Sequence, residues 1–158
     1  MLILTTGGTL DKIHDTYTEG LVFGDNSHME ELLIIGRSFT PRIESLMMID
    51  SLDMTEVHRK IILDAILAAS ETQIVITHGT GTMEKTAKFL DGKIRNKTAV
   101  LTGSLRPFSL GKSDAGFNLG GAVIAAQTQK PGVYGVMNGR LFTAKTLRKD
   151  AKAGRFDL

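Results

Sequence analysis

The sequence predicts an α/β fold: a three-layer, doubly wound, mostly parallel sheet with helices on both faces, in a single domain spanning residues 1–158. Two observations carry this prediction. Short apolar runs typical of buried strands alternate with segments of helical periodicity, and a chain of 158 residues is long enough to bury one sizeable core. Because strands that alternate with helices form parallel sheets with right-handed crossovers, we expect about five parallel strands.

Five apolar runs are predicted as strands, and each is followed by residues that favour a turn. They cover residues 2–5, 45–49, 73–77, 98–102 and 133–137. In an open α/β sheet the ligand crevice lies outside the carboxyl ends of the strands. The residues that follow these runs are therefore the first place to look for a site.

Four segments between these runs are predicted as helices: residues 28–35, 53–68, 83–90 and 115–127. The second has the clearest signals, because Asp53 is a good N-cap residue and Glu56 follows three positions later. Its predicted buried stripe consists of Val57, Ile61, Ala65 and Ala68, with Ile62 and Ala69 flanking it. The aperiodic, Gly-containing residues 10–26 are predicted to form a long loop or flap, and the charged residues 145–158 require no second domain.

Composition narrows the function classes. The net charge is +2, and no basic stripe interleaves with aromatic residues, so we expect no nucleic-acid partner. No apolar run approaches the roughly 20 residues that span a bilayer. Met1 leads straight into the first strand without a basic leader region, so cytoplasmic localisation is expected. The chain has no cysteine, which excludes disulfides and thiolate chemistry.

We expect neither a metal nor another cofactor. His14, His28 and His58 share no metal-ligand spacing, and His78 at a strand end is interpreted as a packed, hydrogen-bonded residue. Residues 111–113 (GKS) resemble the end of a nucleotide-binding P-loop. That loop needs glycine where this chain has Arg106, so we reject a nucleotide site.

Residues 5–9 (TTGGT) follow the first predicted strand. Two consecutive glycines let the backbone turn sharply and approach a ligand closely. A hydroxyl at the end of such a turn, here that of Thr9, can act as a nucleophile if a base lies nearby. The alternatives for this segment are a tight turn capped by threonine and a phosphate-binding nest.

Residues 76–82 (ITHGTGT) follow the third predicted strand and precede a predicted helix. The amides at a helix N-terminus favour negative charge, such as the oxyanion that develops during amide hydrolysis. The alternative is that Thr80 or Thr82 simply caps the helix. Since neighbouring strand ends meet at one edge of the sheet, we expect the hydroxyl of Thr9 to face the amides near Thr80.

These two segments resemble the two motifs of the L-asparaginase family of threonine-nucleophile amidohydrolases. Further segments similar to the family occur in the same order: residues 17–20 (YTEG), 51–54 (SLDM), 102–107 (TGSLRP), 114–119 (DAGFNL) and 148–149 (RK). The likeness runs from residue 2 to about residue 150. Typical members carry a second, C-terminal domain, and this chain is similar to the short, single-domain members.

The resemblance implies that Thr9 attacks the side-chain amide of asparagine while Tyr17 closes over it. It also implies that Thr80 and Lys149 move protons together with an aspartate of the family, and that Ser51 holds the α-carboxylate of the substrate. The implied substrate-binding residues are Ser51, Gly79, Thr80, Gly81 and Ser104.

Two positions depart from the family pattern. Gly81 stands where the family has its catalytic aspartate, and Leu52 stands where the family often has glutamine. An aspartate at position 81 would pair with Lys149 and would hold the α-ammonium of the substrate. We therefore expect hydrolysis of L-asparagine to L-aspartate and ammonia, in an active-site variant with reduced activity.

Two other function classes remain open. One is a non-catalytic amino-acid-binding or sensing domain, and the other is an amidase that acts on glutamine or a larger amide. A small-molecule substrate, asparagine or glutamine, is the expected partner. We also expect a homo-oligomer, with a dimer favoured, because the crevice of this chain is open and a neighbouring subunit could close it.

Overall fold

A six-stranded sheet forms the centre of the fold in the computed structural model, which describes residues 1–39 and 41–156. In the order β4-β1-β5-β6-β7-β8, the first five strands run parallel and β8 is antiparallel to β7. The strands of this sheet are β1 (Leu2–Gly7), β4 (Arg42–Ile49), β5 (Gln73–Thr77), β6 (Thr98–Thr102), β7 (Gly132–Met137) and β8 (Arg140–Thr143). Residues 40, 157 and 158 of the predicted domain lie outside the described residues.

Four helices cover the two faces of the sheet, so the predicted three-layer α/β architecture is confirmed. They are α1 (Met29–Ile35), α2 (Glu56–Ala68), α3 (Met83–Leu90) and α4 (Ala115–Thr128). Alternate residues of β1 serve the two faces: Leu2 and Leu4 join the core beneath α2 and α3, and Ile3 joins the core beneath α1 and α4. No helix of the described chain is long and apolar enough to cross a membrane.

The predicted long loop at residues 10–26 contains regular structure, which corrects the sequence interpretation. A 3-10 turn at Thr9–Asp11 leads into an antiparallel hairpin of β2 (Lys12–His14) and β3 (Leu21–Phe23). A second short hairpin, β9 (Lys149–Asp150) with β10 (Arg155–Phe156), was also absent from the prediction. Strands of two or three residues are too short to show a period.

The start and the buried face of α2 also differ from the prediction. Asp53 lies in a turn before the helix, Thr55 takes the N-cap position, and the ring nitrogen Nδ1 of His58 accepts the Thr55 N–H at 3.0 Å. The predicted stripe is wrong, because Val57 and Ile61 are 69% and 42% exposed. The face that packs inward carries Arg59, Ile62 and Ile66. Isolated apolar side chains are common on protein surfaces, so their spacing alone did not identify the inner face.

Candidate active site

The loops that follow β1 and β5 meet at the carboxyl edge of the sheet, where the two strands are parallel neighbours. Gly8 has φ +84°, and a Cβ atom built on it would lie 2.6 Å from Gly79 Cα, so the two backbones are in direct contact. Only glycine allows both this conformation and this approach. The next residues along the two loops are Thr9 and Thr80, as the argument from strand ends predicted.

Thr9 begins the 3-10 turn and is partly exposed. Asp11, which the sequence analysis did not single out, holds this turn in place. Its Oδ1 accepts hydrogen bonds from Ser27 Oγ at 2.8 Å and from the His28 N–H at 2.9 Å. Burial raises the pKa of the Asp11 carboxyl, and these hydrogen bonds partly oppose the effect. The turn that presents Thr9 is therefore tied to the start of α1.

Thr80 and Lys149 lie together at one side of this edge. Lys149 Nζ donates a hydrogen bond to Thr80 Oγ1 at 3.1 Å, and Thr80 is only 7% exposed. Among residues 1–39 and 41–156, no carboxylate forms an ion pair with Lys149. The pair borders a cavity of about 370 Å³, which is lined by Thr80, Gly81, Glu84, Lys149, Ala151, Gly154 and Phe156.

Ser51 binds the N-terminus of α3. Its Oγ accepts the N–H groups of Gly81 at 3.1 Å and Thr82 at 3.3 Å, and its carbonyl oxygen accepts the Thr82 hydroxyl at 2.6 Å. A Cβ atom on Gly79 would lie 2.6 Å from Ser51 Oγ, so this loop excludes a side chain at position 79. Thr82 is the residue before α3, but its hydroxyl binds Ser51 and makes no capping hydrogen bond to the helix.

A side chain at Gly81 requires a smaller adjustment than one at Gly79. A Cβ atom there would lie 2.8 Å from Leu52 Cδ2 and 3.2 Å from Ser51 Oγ. Leu52 is 75% exposed, so the end of its side chain can move away. Gly81 is not among the residues with positive φ, so its backbone conformation is open to other residue types. Gly81 and Leu52, the two positions that the sequence analysis singled out, are therefore neighbours in space.

The two remaining residues of the predicted site are placed differently from each other. Tyr17 lies at the turn of the β2–β3 hairpin and is 96% exposed, so the structure does not bring its ring over Thr9. Ser104 follows β6 and is 1% exposed, and its hydroxyl has no hydrogen-bond partner among the described residues. Ser104 thus offers a buried hydroxyl close to the strand ends, whereas Tyr17 stands in solvent.

His78 is packed and hydrogen-bonded, as interpreted from the sequence. Its ring is 1% exposed, with Nδ1 2.7 Å from the Gly79 carbonyl oxygen and Nε2 2.8 Å from Thr86 Oγ1. Burial lowers the pKa of His78 to about 4, with a smaller contribution from the charge of Arg59, and the hydrogen bond to Gly79 partly opposes this shift. The imidazole is therefore neutral at pH 7. Since a carbonyl can only accept, Nδ1 carries the proton.

The buried His78 predicts a loss of stability in acid. The pKa falls from 6.5 in the unfolded chain to about 4 in the folded one, so the unfolded chain takes up the proton first as pH drops. The contribution of His78 to the free energy of unfolding is fully present above pH 6.5. It decreases between pH 6.5 and 4, by up to about 3 kcal/mol. Urea unfolding across this range measures the change. A His78→Gln variant should be less stable at pH 7, but its free energy of unfolding should lack this pH-dependent decrease. An equal pH dependence in both proteins would contradict the assignment of the decrease to His78.

Sequence comparisons show which known proteins this chain is similar to. Residues 1–157 match the family model described as "Asparaginase, N-terminal". The chain is 30% identical to a glutaminase-asparaginase of Acinetobacter glutaminasificans, with 94% of this chain and 49% of that protein aligned. It is 32% identical to a probable periplasmic L-asparaginase of Haemophilus influenzae, with 93% and 45% aligned.

Comparison with solved structures shows the same similarity at the level of the fold. The fold is similar to that of the thermostable L-asparaginase from Thermococcus kodakarensis, with a TM-score of 0.81 and 27% identity. The match covers 99% of this chain and 50% of the other. The chain therefore spans about half the length of the relatives that it matches.

Proposed function

Because this chain belongs to the asparaginase family, we propose that it hydrolyses the side-chain amide of L-asparagine through an acyl-enzyme on Thr9. One observation carries the proposal: Gly8 and Gly79 are in backbone contact, which sets the Thr9 turn directly beside the Thr80 loop. A hydroxyl nucleophile needs a proton acceptor and amide donors within reach. The contact between the loops after β1 and β5 supports such an arrangement.

In the proposed reaction the Thr9 hydroxyl oxygen attacks the amide carbon of the substrate. The backbone amides of the two loops stabilise the oxyanion that develops there. The Thr9 proton is delivered to the amide nitrogen, the carbon–nitrogen bond breaks, and ammonia leaves behind an ester on Thr9. Water then attacks this ester, aspartate departs, and the Thr9 hydroxyl is restored. We assign the Thr80–Lys149 pair to proton movement, because an amine bonded to a hydroxyl can pass protons between the reacting groups.

We propose that Gly81 makes this enzyme slow. Its hydrogen atom provides no charge beside Lys149, and no other described carboxylate pairs with that lysine. The proton-moving pair therefore lacks an anion that would fix its geometry, and an α-ammonium group of the substrate would meet no fixed negative charge at position 81. Apolar Leu52 fills the adjacent space. Losing ~3 kcal/mol of transition-state stabilisation slows a reaction more than a hundredfold.

Ammonia release from asparagine and from glutamine tests the proposal. We expect slow release from asparagine that increases in proportion to enzyme concentration. Tight binding of asparagine in calorimetry without any ammonia would instead support a sensing domain. Faster release from glutamine would support the amidase alternative, and the likeness to a glutaminase-asparaginase makes glutamine the first other substrate to assay.

We also propose that the chain functions as a homodimer. The candidate site opens at the carboxyl edge of the sheet, and the Tyr17 side chain does not cover it. A neighbouring subunit could exclude water from the reacting groups, which strengthens every electrostatic interaction inside. Light scattering at working concentration should give twice the mass of one chain. A single-chain mass at all concentrations would contradict the dimer.

A further inference from the structure

Arg59 is a buried cation close to the candidate site. It lies on the inner face of α2 and is 7% exposed. It makes no ion pair with a carboxylate in the part of the chain that the structure describes, although Glu56, one turn earlier on α2, acts on it electrostatically. Removing a guanidinium from water without a partner is costly, so its position needs an explanation. The guanidinium donates hydrogen bonds to two threonine hydroxyls.

The first hydrogen-bond chain runs from Arg59 to the loop that carries Thr80. Arg59 Nε donates to Thr86 Oγ1 at 3.1 Å, and Thr86 Oγ1 lies 2.8 Å from His78 Nε2. A guanidinium can only donate and a carbonyl can only accept, so both ends of this chain have a fixed direction. The Thr86 hydroxyl must therefore pass its proton to His78 Nε2, and His78 Nδ1–H donates to the Gly79 carbonyl at 2.7 Å.

The second chain runs from Arg59 to the loop that carries Ser51. Arg59 Nη2 donates to Thr82 Oγ1 at 3.3 Å, and the Thr82 hydroxyl donates to the Ser51 carbonyl oxygen at 2.6 Å. Ser51 Oγ in turn accepts the amides of Gly81 and Thr82. One guanidinium is thus joined, through one hydroxyl on each side, to both loops that border the site.

We propose that Arg59 is the positioning residue of this site: its two hydrogen-bond chains fix the Gly79 loop and the Ser51 loop relative to each other. Because Arg59 can only donate, each threonine hydroxyl accepts from it and keeps its own proton for a further partner. The Gly79 carbonyl separately holds the neutral His78 in one tautomer, with its proton on Nδ1. The effect of Arg59 on turnover rests on the proposed function, whereas its effect on the order of the two loops does not.

Amide hydrogen exchange followed by NMR tests the proposal without any substrate. The Gly81 amide donates to Ser51 Oγ, and it should exchange at least about tenfold faster in Arg59→Met than in the unmodified chain. Thr82→Val breaks only the second chain and should give a similar acceleration. In the double variant Arg59→Met/Thr82→Val the exchange rate should increase no further. Lys60→Met, at the neighbouring exposed position on α2, is the matched control and should leave the exchange rate unchanged.

Kinetics provide the second readout. Arg59→Met should lower kcat/KM for asparagine by about tenfold, since a small displacement of positioning groups has an effect of this order. Arg59→Lys keeps the charge but lacks the planar fork that reaches two hydroxyls, so it should recover only part of the loss. Circular dichroism identifies variants that fail to fold.

Two results would overturn the proposal. One is a folded Arg59→Met protein whose Gly81 amide exchanges as slowly as in the unmodified chain; the other is a folded Arg59→Met protein whose kcat/KM stays within twofold of the unmodified value. If the unmodified chain releases no ammonia at all, the proposed function fails while the exchange measurement still decides the role of Arg59.

Discussion

Replacing Thr9 by alanine is expected to lower ammonia release from asparagine by about a thousandfold or more, because it removes the attacking oxygen. The structure makes this a clean test. The path of the turn depends on the contact between Gly8 and Gly79 and on the buried Asp11, and the Thr9 side chain makes no hydrogen bond to a described residue. The alanine variant should therefore fold normally.

Thr9→Ser is the matched control, because it keeps the hydroxyl and removes only a methyl group. Its rate should stay well above that of Thr9→Ala, and thermal unfolding should show both variants to be as stable as the unmodified chain. Each variant should also be measured in a Gly81→Asp background, because the faster ammonia release expected there makes the difference easier to measure. If folded Thr9→Ala released ammonia as fast as Thr9→Ser, another group would have to be the nucleophile.

Replacing Gly81 by aspartate is expected to raise kcat/KM for asparagine at least about tenfold, equivalent to 1.4 kcal/mol of transition-state stabilisation. The new carboxylate would enter the cavity that contains Lys149 and the Thr80 hydroxyl. It would give the lysine an anionic partner and offer the substrate ammonium a fixed negative charge. The backbone at position 81 accepts the side chain once exposed Leu52 moves aside.

Gly81→Asn separates the effect of charge from that of shape. It has nearly the size of aspartate but no charge, so it should leave the rate close to that of the unmodified chain. Leu52→Gln/Gly81→Asp, which replaces the branched apolar side chain by an unbranched polar one, should be at least as fast as Gly81→Asp alone. Equal rates for Asp and Asn, or no gain from either, would show that the missing carboxylate is not what limits the proposed reaction.

The layered fold and the meeting of the two threonine-containing loops were both predictable from the sequence. Each of the five parallel strands overlaps an apolar run, and α3 at Met83–Leu90 has the predicted bounds. These elements have defined buried faces, so the pattern of apolar residues along the sequence indicates them. The meeting of the Thr9 and Thr80 loops followed from a general rule, that neighbouring parallel strands end at the same edge of a sheet.

The parts that could not be predicted depend on contacts between distant residues. Arg59 is buried on the inner face of α2, where Thr82 and Thr86, more than 20 positions later, accept two of its N–H groups. The general rule that arginine side chains are exposed to solvent therefore fails for Arg59. The same holds for Asp11, whose burial depends on Ser27 and the His28 amide.

The prediction for Tyr17 failed for a different reason. The family likeness implied a ring over Thr9, and the structure has the ring in solvent at a hairpin turn. The motif specifies which residue is present there. It does not specify the conformation of the turn that carries it.

Peptide mass mapping of an acid-quenched reaction with asparagine tests the central claim most directly. In the Gly81→Asp chain, which should accumulate more intermediate, we expect a mass increase of one aspartyl group on the peptide that contains Thr9, and none in Thr9→Ala/Gly81→Asp. An aspartyl group on the peptide that contains Thr80, or turnover of asparagine in the Thr9→Ala/Gly81→Asp chain, would contradict the assignment of Thr9 as the nucleophile.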